Sequence, residues 1–266
     1  MAHQDTYAFD NARAIQRQRL ATLARLFDPG SIRHLDATGV APGWRCLEVG
    51  AGNGSIAEWL CDRVGAEGTV VATDLDTTVL RDLARPNLDV RVHDVVVDDL
   101  PEHEYDLVHM RLVLAWLADP ALALHRLVAA LRPGGVLVAE EMDFAGTSLD
   151  PRLDAPRRQA FERVIAAHNE VLCRSHSFDP FYGRRLAGDL TDAGLAEVAA
   201  EGRVGMWRGG ADGGLIWKLT IDQLRDEMVA SGIASEQDVE VALALCDDPE
   251  LAVVSQVVMA AWGRRP

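Results

Sequence analysis

The chain has 266 residues, 48% of them hydrophobic and 25% charged, with a formal net charge of −15. That is enough for a sizeable core in one large domain or one and a half, and the acidic balance argues against nucleic acid, whose phosphates need basic surface. No apolar run reaches membrane-spanning length, no basic-then-apolar leader is expected at the start, and the scattered Cys46, Cys61, Cys173 and Cys246 read as reduced thiols of a cytoplasmic protein.

Residues 1–40 predict mainly helix. Leu20, Leu23, Ala24, Leu26 and Phe27 keep helical spacing, and Asp28-Pro29-Gly30 is expected to break it before a short second helix over 31–38. A strand over 44–49 runs into Gly50, Gly52 and Gly54, and a helix over 55–64 follows. Such a glycine turn lets the backbone approach a ligand, and the amides at the helix start favour a polar or anionic group. Next come a buried strand over 69–74, a helix over 77–84 and a strand over 88–93. A loop over 95–101, a strand over 105–110, a helix over 120–131 and a strand over 136–141 complete this half. Strands alternating with helices at this spacing imply a mostly parallel sheet covered on both faces. The remainder is more helical. It predicts helices over 156–174 and 183–193, a strand over 196–207, two helices within 211–250 broken near Gly232, and a last strand over 253–263.

Two nucleotide-type ligands use a glycine turn of this kind. A dinucleotide fingerprint wants G-x-G-x-x-G. Gly50 and Gly52 fit it, but Ser55 holds the third position. Glu48-Val-Gly-Ala-Gly-Asn-Gly54 instead resembles motif I of the class I S-adenosylmethionine-dependent methyltransferases, in particular the small-molecule enzymes of quinone and natural-product biosynthesis. Tyr105-Asp-Leu-Val-His-Met-Arg111 is similar to motif IV, and Leu131-Arg-Pro-Gly-Gly-Val-Leu-Val138 to the turn into the fifth strand. The similarity is good over 40–145 and loose beyond. A nicotinamide-dependent oxidoreductase, and a protein that binds S-adenosylmethionine without transferring methyl, stand as the alternatives.

The resemblance implies an α/β fold, a doubly wound, seven-stranded, mostly parallel sheet whose last strand inserts antiparallel beside the fifth. It implies an N-terminal helical lid over 1–40, a cofactor-binding core over 41–150, and the rest of the sheet with a helical cap at about 211–250 within 151–266. It also implies S-adenosylmethionine as cofactor, S-adenosylhomocysteine as product, a small-molecule acceptor and a possible homodimer. Gly50, Ala51 and Gly52 would wrap the methionine part, with Glu48 supporting its amino group. Asp74 would accept from the ribose hydroxyls, with Leu75 against the adenine. Asp94 would bind the adenine amino group, with His93 and Val95 bracketing the ring. Met110 of motif IV, Tyr7 in the lid and Arg19 on the first helix complete the cofactor set. One departure is visible, since Trp116 stands where many relatives carry a histidine ahead of Leu117-Ala-Asp119.

Methyl transfer from a sulfonium is an in-line displacement that depends on holding the acceptor in a dry site, with a base when the acceptor must lose a proton. His109, Arg111 and Asp143 are the catalytic candidates because they follow the fourth and fifth strands. Each has a plainer reading: His109 as a strand histidine, Arg111 as an ion-pair partner of Asp143, and Asp143 as a loop cap. His168, His176, Phe178, Phe181, Tyr182 and Trp207 are candidates for an acceptor pocket or simply core. The histidines are isolated and give no metal-ligand spacing.

Overall fold

The computed structural model describes residues 14–176 and 178–266. Its strands are β1 (Arg45–Val49), β2 (Thr69–Asp74), β3 (Leu88–Val92), β4 (Tyr105–Arg111), β5 (Leu131–Asp143), β6 (Ser148–Leu149), β7 (Ala196–Arg203), β8 (Met206–Arg208), β9 (Ala252–Val254) and β10 (Val257–Arg264). Its helices are α1 (Ala14–Ala37), α2 (Ser55–Val64), α3 (Pro120–Ala130), α4 (Ala155–His176), α5 (Leu186–Asp192), α6 (Asp212–Ala230) and α7 (Glu236–Asp247). The chain divides into two compact units.

The α/β unit takes residues 27–142, 182–202 and 258–266. Its sheet has the order β3-β2-β1-β4-β5-β10-β7, with β3, β2, β1, β4 and β5 mutually parallel. Gly134 N–H donates to the Arg265 carbonyl and Arg265 N–H to that of Gly135. The far end of the chain therefore lies along the start of β5, and β10 runs antiparallel to it. This is the seven-stranded, mostly parallel fold that the sequence predicts. Ile56, Ala57, Leu60 and Val64 recur at helical spacing on α2 and are buried, packing with Cys46, Val70 and Leu107 of the strands. Ile56, Leu60 and Val64 each contribute about 1.5–3 kcal/mol through burial.

The helical unit takes residues 14–26, 143–181 and 203–257. Here α4, α6 and α7 pack together, and β6-β9-β8 form a small antiparallel sheet. Trp217, Leu219, Ile221, Leu224 and Met228 are all buried. Gly232, at φ +74°, ends α6, and Ser235 with Asp238 forms a capping box that starts α7.

Three elements differ from expectation. First, α1 runs unbroken through Pro29. Proline removes one helical N–H but holds φ near the helical value, and the helix is anchored to the sheet on both sides of it, by Asp28 before and by Ser31 and His34 after. Second, the helix over 77–84 shrinks to a 3₁₀ turn at Thr77–Val79, capped by Asp76. β-branched Thr77, Thr78 and Val79 propagate a helix poorly. Third, the runs 196–207 and 253–263 each split between two sheets. Gly205 N–H donates to Ser255 Oγ and Ser255 N–H to the Gly205 carbonyl, both at 2.9 Å, which pins the two breaks to each other.

Candidate active site

The strand order reverses between β1 and β4, and ligands of open α/β sheets bind at the carboxyl ends of strands where this happens. Gly50 follows β1 at φ +66°, and a Cβ there would come 2.5 Å from Val113 Cγ2. Ala51 N–H donates to the Thr73 carbonyl at 2.9 Å, and the Thr73 hydroxyl to the Glu48 carbonyl at 3.1 Å. Asp74 then ties the turn to the end of β2. Its Oδ2 accepts Gly52 N–H at 2.9 Å and its Oδ1 accepts Asp76 N–H at 3.1 Å. A carboxylate has room for about four such bonds. Desolvation pushes the Asp74 pKa above the ordinary carboxylate value, while these N–H donors pull it back. Gly50→Ala should cost about 1–2 kcal/mol, the penalty of left-handed backbone for a residue with a Cβ. The shift in the urea midpoint measures it, and an unchanged midpoint contradicts it.

The other residues expected to bind cofactor stand at neighbouring strand ends. Leu75 is half-buried beside Asp74. His93 N–H donates to the Asp74 carbonyl at 3.0 Å. Asp94 Oδ1 accepts Val96 N–H at 2.9 Å, and Val95 is buried. Met110 is fully buried within β4.

Glu48, His109, Arg111 and Glu140 share one face of the sheet, because the register pairs Glu48 with His109 and Arg111 with Glu140. His109 is fully buried, with Nδ1 2.6 Å from Glu48 Oε2. Burial opposes its charged form, but the Glu48 charge and hydrogen bond outweigh that and hold its pKa above the ordinary histidine value. Arg111 donates to Ser31 Oγ at 2.8 Å and to Asp28 Oδ1 at 2.9 Å. Glu140 takes Ser31 Oγ at 2.5 Å and His34 Nδ1 at 2.9 Å. Burial alone would raise the Glu140 pKa. His34, His109, Ser31 and Arg111 together hold it below the ordinary value.

Glu140 and Glu141 escape the sequence reading. Glu141 Oε1 accepts Val113 N–H at 2.8 Å and Leu114 N–H at 2.6 Å, which starts the 3₁₀ turn Leu114–Trp116. Leu112 just before it has φ +60°, a strained value for a residue with a Cβ. Two adjacent carboxylates inside an apolar strand were the available signal, since buried charges require partners.

In the helical unit, Asp143 is buried and its Oδ1 accepts Ala145 N–H at 3.0 Å, capping the turn Phe144–Gly146. Arg19 Nε donates to Thr220 Oγ1 at 3.3 Å. Tyr7 lies outside the described residues. His168 is buried within 5.3 Å of the Trp217 ring and 5.2 Å of the Phe144 ring. Desolvation lowers its pKa to about 4. The His168 ring should therefore show no titration between pH 5 and 8 by NMR, and a midpoint near 6.5 would contradict its burial.

A model described as a methyltransferase domain matches residues 47–137. The chain is 30% identical over 171 residues to an uncharacterized 37.1 kDa protein in transposon TN4556 of Streptomyces fradiae, covering 61% of this chain and 46% of that protein. It is 31% identical over 126 residues to the ubiquinone/menaquinone biosynthesis C-methyltransferase UbiE of Laribacter hongkongensis, covering 45% and 52%. The chain thus spans about half the length of these relatives. Among solved structures it is similar to Haemonchus contortus phosphoethanolamine N-methyltransferase 2 in complex with S-adenosyl-L-methionine. The TM-score is 0.53 at 14% identity, over 94% of this chain and 52% of that one, a likeness of fold.

Proposed function

We propose, from the methyltransferase-domain match over residues 47–137 and the seven-stranded, mostly parallel sheet, that this chain is a class I S-adenosylmethionine-dependent methyltransferase and transfers a methyl group from that cofactor to a small-molecule acceptor. The observation that carries the reading is the bond from Gly52 N–H to Asp74. It joins a glycine turn to an acid at the ends of adjacent parallel strands, as a cradle for a nucleoside with a charged tail requires. The residues fit the group. Gly50, Gly52 and Gly54 all hold positive φ, a backbone course that glycine adopts freely, and Asp74 keeps acceptor capacity for ribose hydroxyls. Glu48, Leu75, His93, Asp94, Val95 and Met110 complete the proposed cofactor set, together with Tyr7 and Arg19.

S-adenosylmethionine supplies an electrophilic methyl on a sulfonium. The protein's task is to bind, orient and exclude water. The Glu48–His109 pair behind the glycine turn is best read as holding the Glu48 carboxylate in place. Arg111, already paired with Asp28, and Asp143, capping a turn, remain candidates for handling an acceptor proton or charge. The covering role of residues 1–40 and 211–250 belongs to the same proposal, as does a homodimer. An acceptor in quinone or secondary-metabolite biosynthesis is supported by the C-methyltransferase relative. No described helix is long and apolar enough to cross a membrane, and free Cys46, Cys61, Cys173 and Cys246 support a cytoplasmic setting.

Thermal denaturation with S-adenosylmethionine, S-adenosylhomocysteine, NAD and NADP added separately tests the cofactor. A ligand that binds only the native state raises the midpoint. A rise with the first two alone is expected, and a rise with NAD or NADP alone overturns the reading.

A further inference from the structure

The helical unit holds a cavity of about 340 Å³, within the usual range for small-ligand sites. One wall is a single face of α4, where Glu162, Ile165, Ala166 and Asn169 recur at helical spacing. The other is the segment 144–149 with Phe181. Two features make it more than a surface dent. The Phe144 ring is held from three sides, by His168 at 5.2 Å and by Phe178 and Trp217 edge-on, both at 6.4 Å, so this wall is rigid. Asn169, another lining residue, is half-buried and brings a side-chain amide to the wall.

The chemistry of the lining narrows the ligand. His168 Nδ1 lies 3.0 Å from Asn169 Oδ1. An amide oxygen only accepts, so the imidazole Nδ1 carries the proton and the Asn169 NH₂ is left as a donor. The aromatic faces of Phe144 and Phe181 favour a flat ring. None of the described lining residues is cationic, so none of them compensates a carboxylate or phosphate. Glu162 is the charged member, and Arg158 already lies 3.6 Å from it, which removes the incentive for an ammonium.

We infer that this cavity is a binding subsite for an uncharged aromatic ring bearing a hydroxyl, a phenol-class compound, gripped by Phe144 and Phe181 and hydrogen-bonded by Asn169. As a statement about the methyl acceptor it rests on the methyltransferase reading above. As a statement about binding it does not.

Calorimetric titration of the full chain with phenol, cyclohexanol and benzoate tests it, with and without saturating S-adenosylhomocysteine. Phenol should bind about tenfold more tightly than cyclohexanol, which lacks the flat ring, and than benzoate, whose carboxylate meets no cation among the described lining residues. Asn169→Leu should weaken phenol by about tenfold through loss of the donor. Ala166→Trp, at an exposed position on α4, should fill the cavity and abolish phenol binding at an unchanged thermal midpoint. Equal affinities for phenol and cyclohexanol, or phenol binding unaltered in Ala166→Trp, overturn the subsite. If S-adenosylhomocysteine raises the midpoint while phenol fails to bind, the subsite alone falls. If phenol binds as expected while S-adenosylhomocysteine has no effect, the subsite stands and the cofactor reading falls.

Discussion

Asp74→Ala should lower the affinity for S-adenosylhomocysteine by at least about a hundredfold. Hydrogen bonds to a charged acceptor contribute about 1.5–3 kcal/mol each, and two ribose hydroxyls would lose theirs together. The substitution also releases Gly52 N–H and Asp76 N–H, so the glycine turn loses its tether to β2. Asp94→Ala should cost less, because Asp94 is a half-buried acid already engaged by Val96 N–H. Calorimetric titration of both variants checks the order, and an Asp94 effect larger than the Asp74 effect would sink the assignment. The pH dependence has a definite sign. A hydroxyl donates best to an ionised carboxylate, and desolvation raises the Asp74 pKa above its ordinary 3.8. Affinity should therefore begin to fall, as pH is lowered, at a higher pH than a solvent-exposed aspartate would dictate. In Asp74→Asn that slope should disappear.

The glycine turn, α2, and the strands β1 and β2 were legible because their signals are local. Gly50, Gly52 and Gly54 sit between a short apolar strand and an amphipathic run, and nothing distant is needed to read them. The misread parts depend on partners far away in sequence. Pro29 is a breaker by local rules, yet the turns on both sides of it are held by Arg111 and Glu140, residues whose contribution appears only once β4 and β5 lie under α1. His109 shows the same limit at the site. Sequence placed it after the fourth strand as a catalytic candidate, but only the parallel register of β1 and β4 reveals Glu48 beside it. Glu141 looks like any strand acid until the chain turns back at Leu112 and presents two amides to it. The run 196–207 reads as one strand because alternation continues across Gly205, while the break is set by Ser255 about fifty residues on.

Glu140→Ala should cost about 3–5 kcal/mol, the loss typical of removing one partner from a buried charged cluster. Ser31, His34 and Arg111 would keep their polar groups buried without the carboxylate that receives or balances them. Arg225 offers the contrast. It pairs with Glu236 and Glu240, all three part-exposed or exposed, and Arg225→Ala should cost far less than Glu140→Ala, because solvent screens such pairs. Urea unfolding of the two variants compares them, and equal losses would mean that the buried cluster contributes no more than a surface pair. The same cluster sets a pH window. Glu140 is held below its ordinary 4.5, so its contribution is present above that value and is lost as pH falls through the folded pKa. His109 is held above its ordinary 6.5, so its contribution is complete below 6.5 and is lost as pH rises through the folded pKa. From these two groups, the stability of the α/β unit should be greatest between about 4.5 and 6.5 and fall on both sides. Each limb has its own owner. Glu140→Gln should flatten the acid limb and spare the alkaline one, and His109→Gln should do the reverse. An alkaline limb that persists in His109→Gln would mean that a group other than His109 sets it.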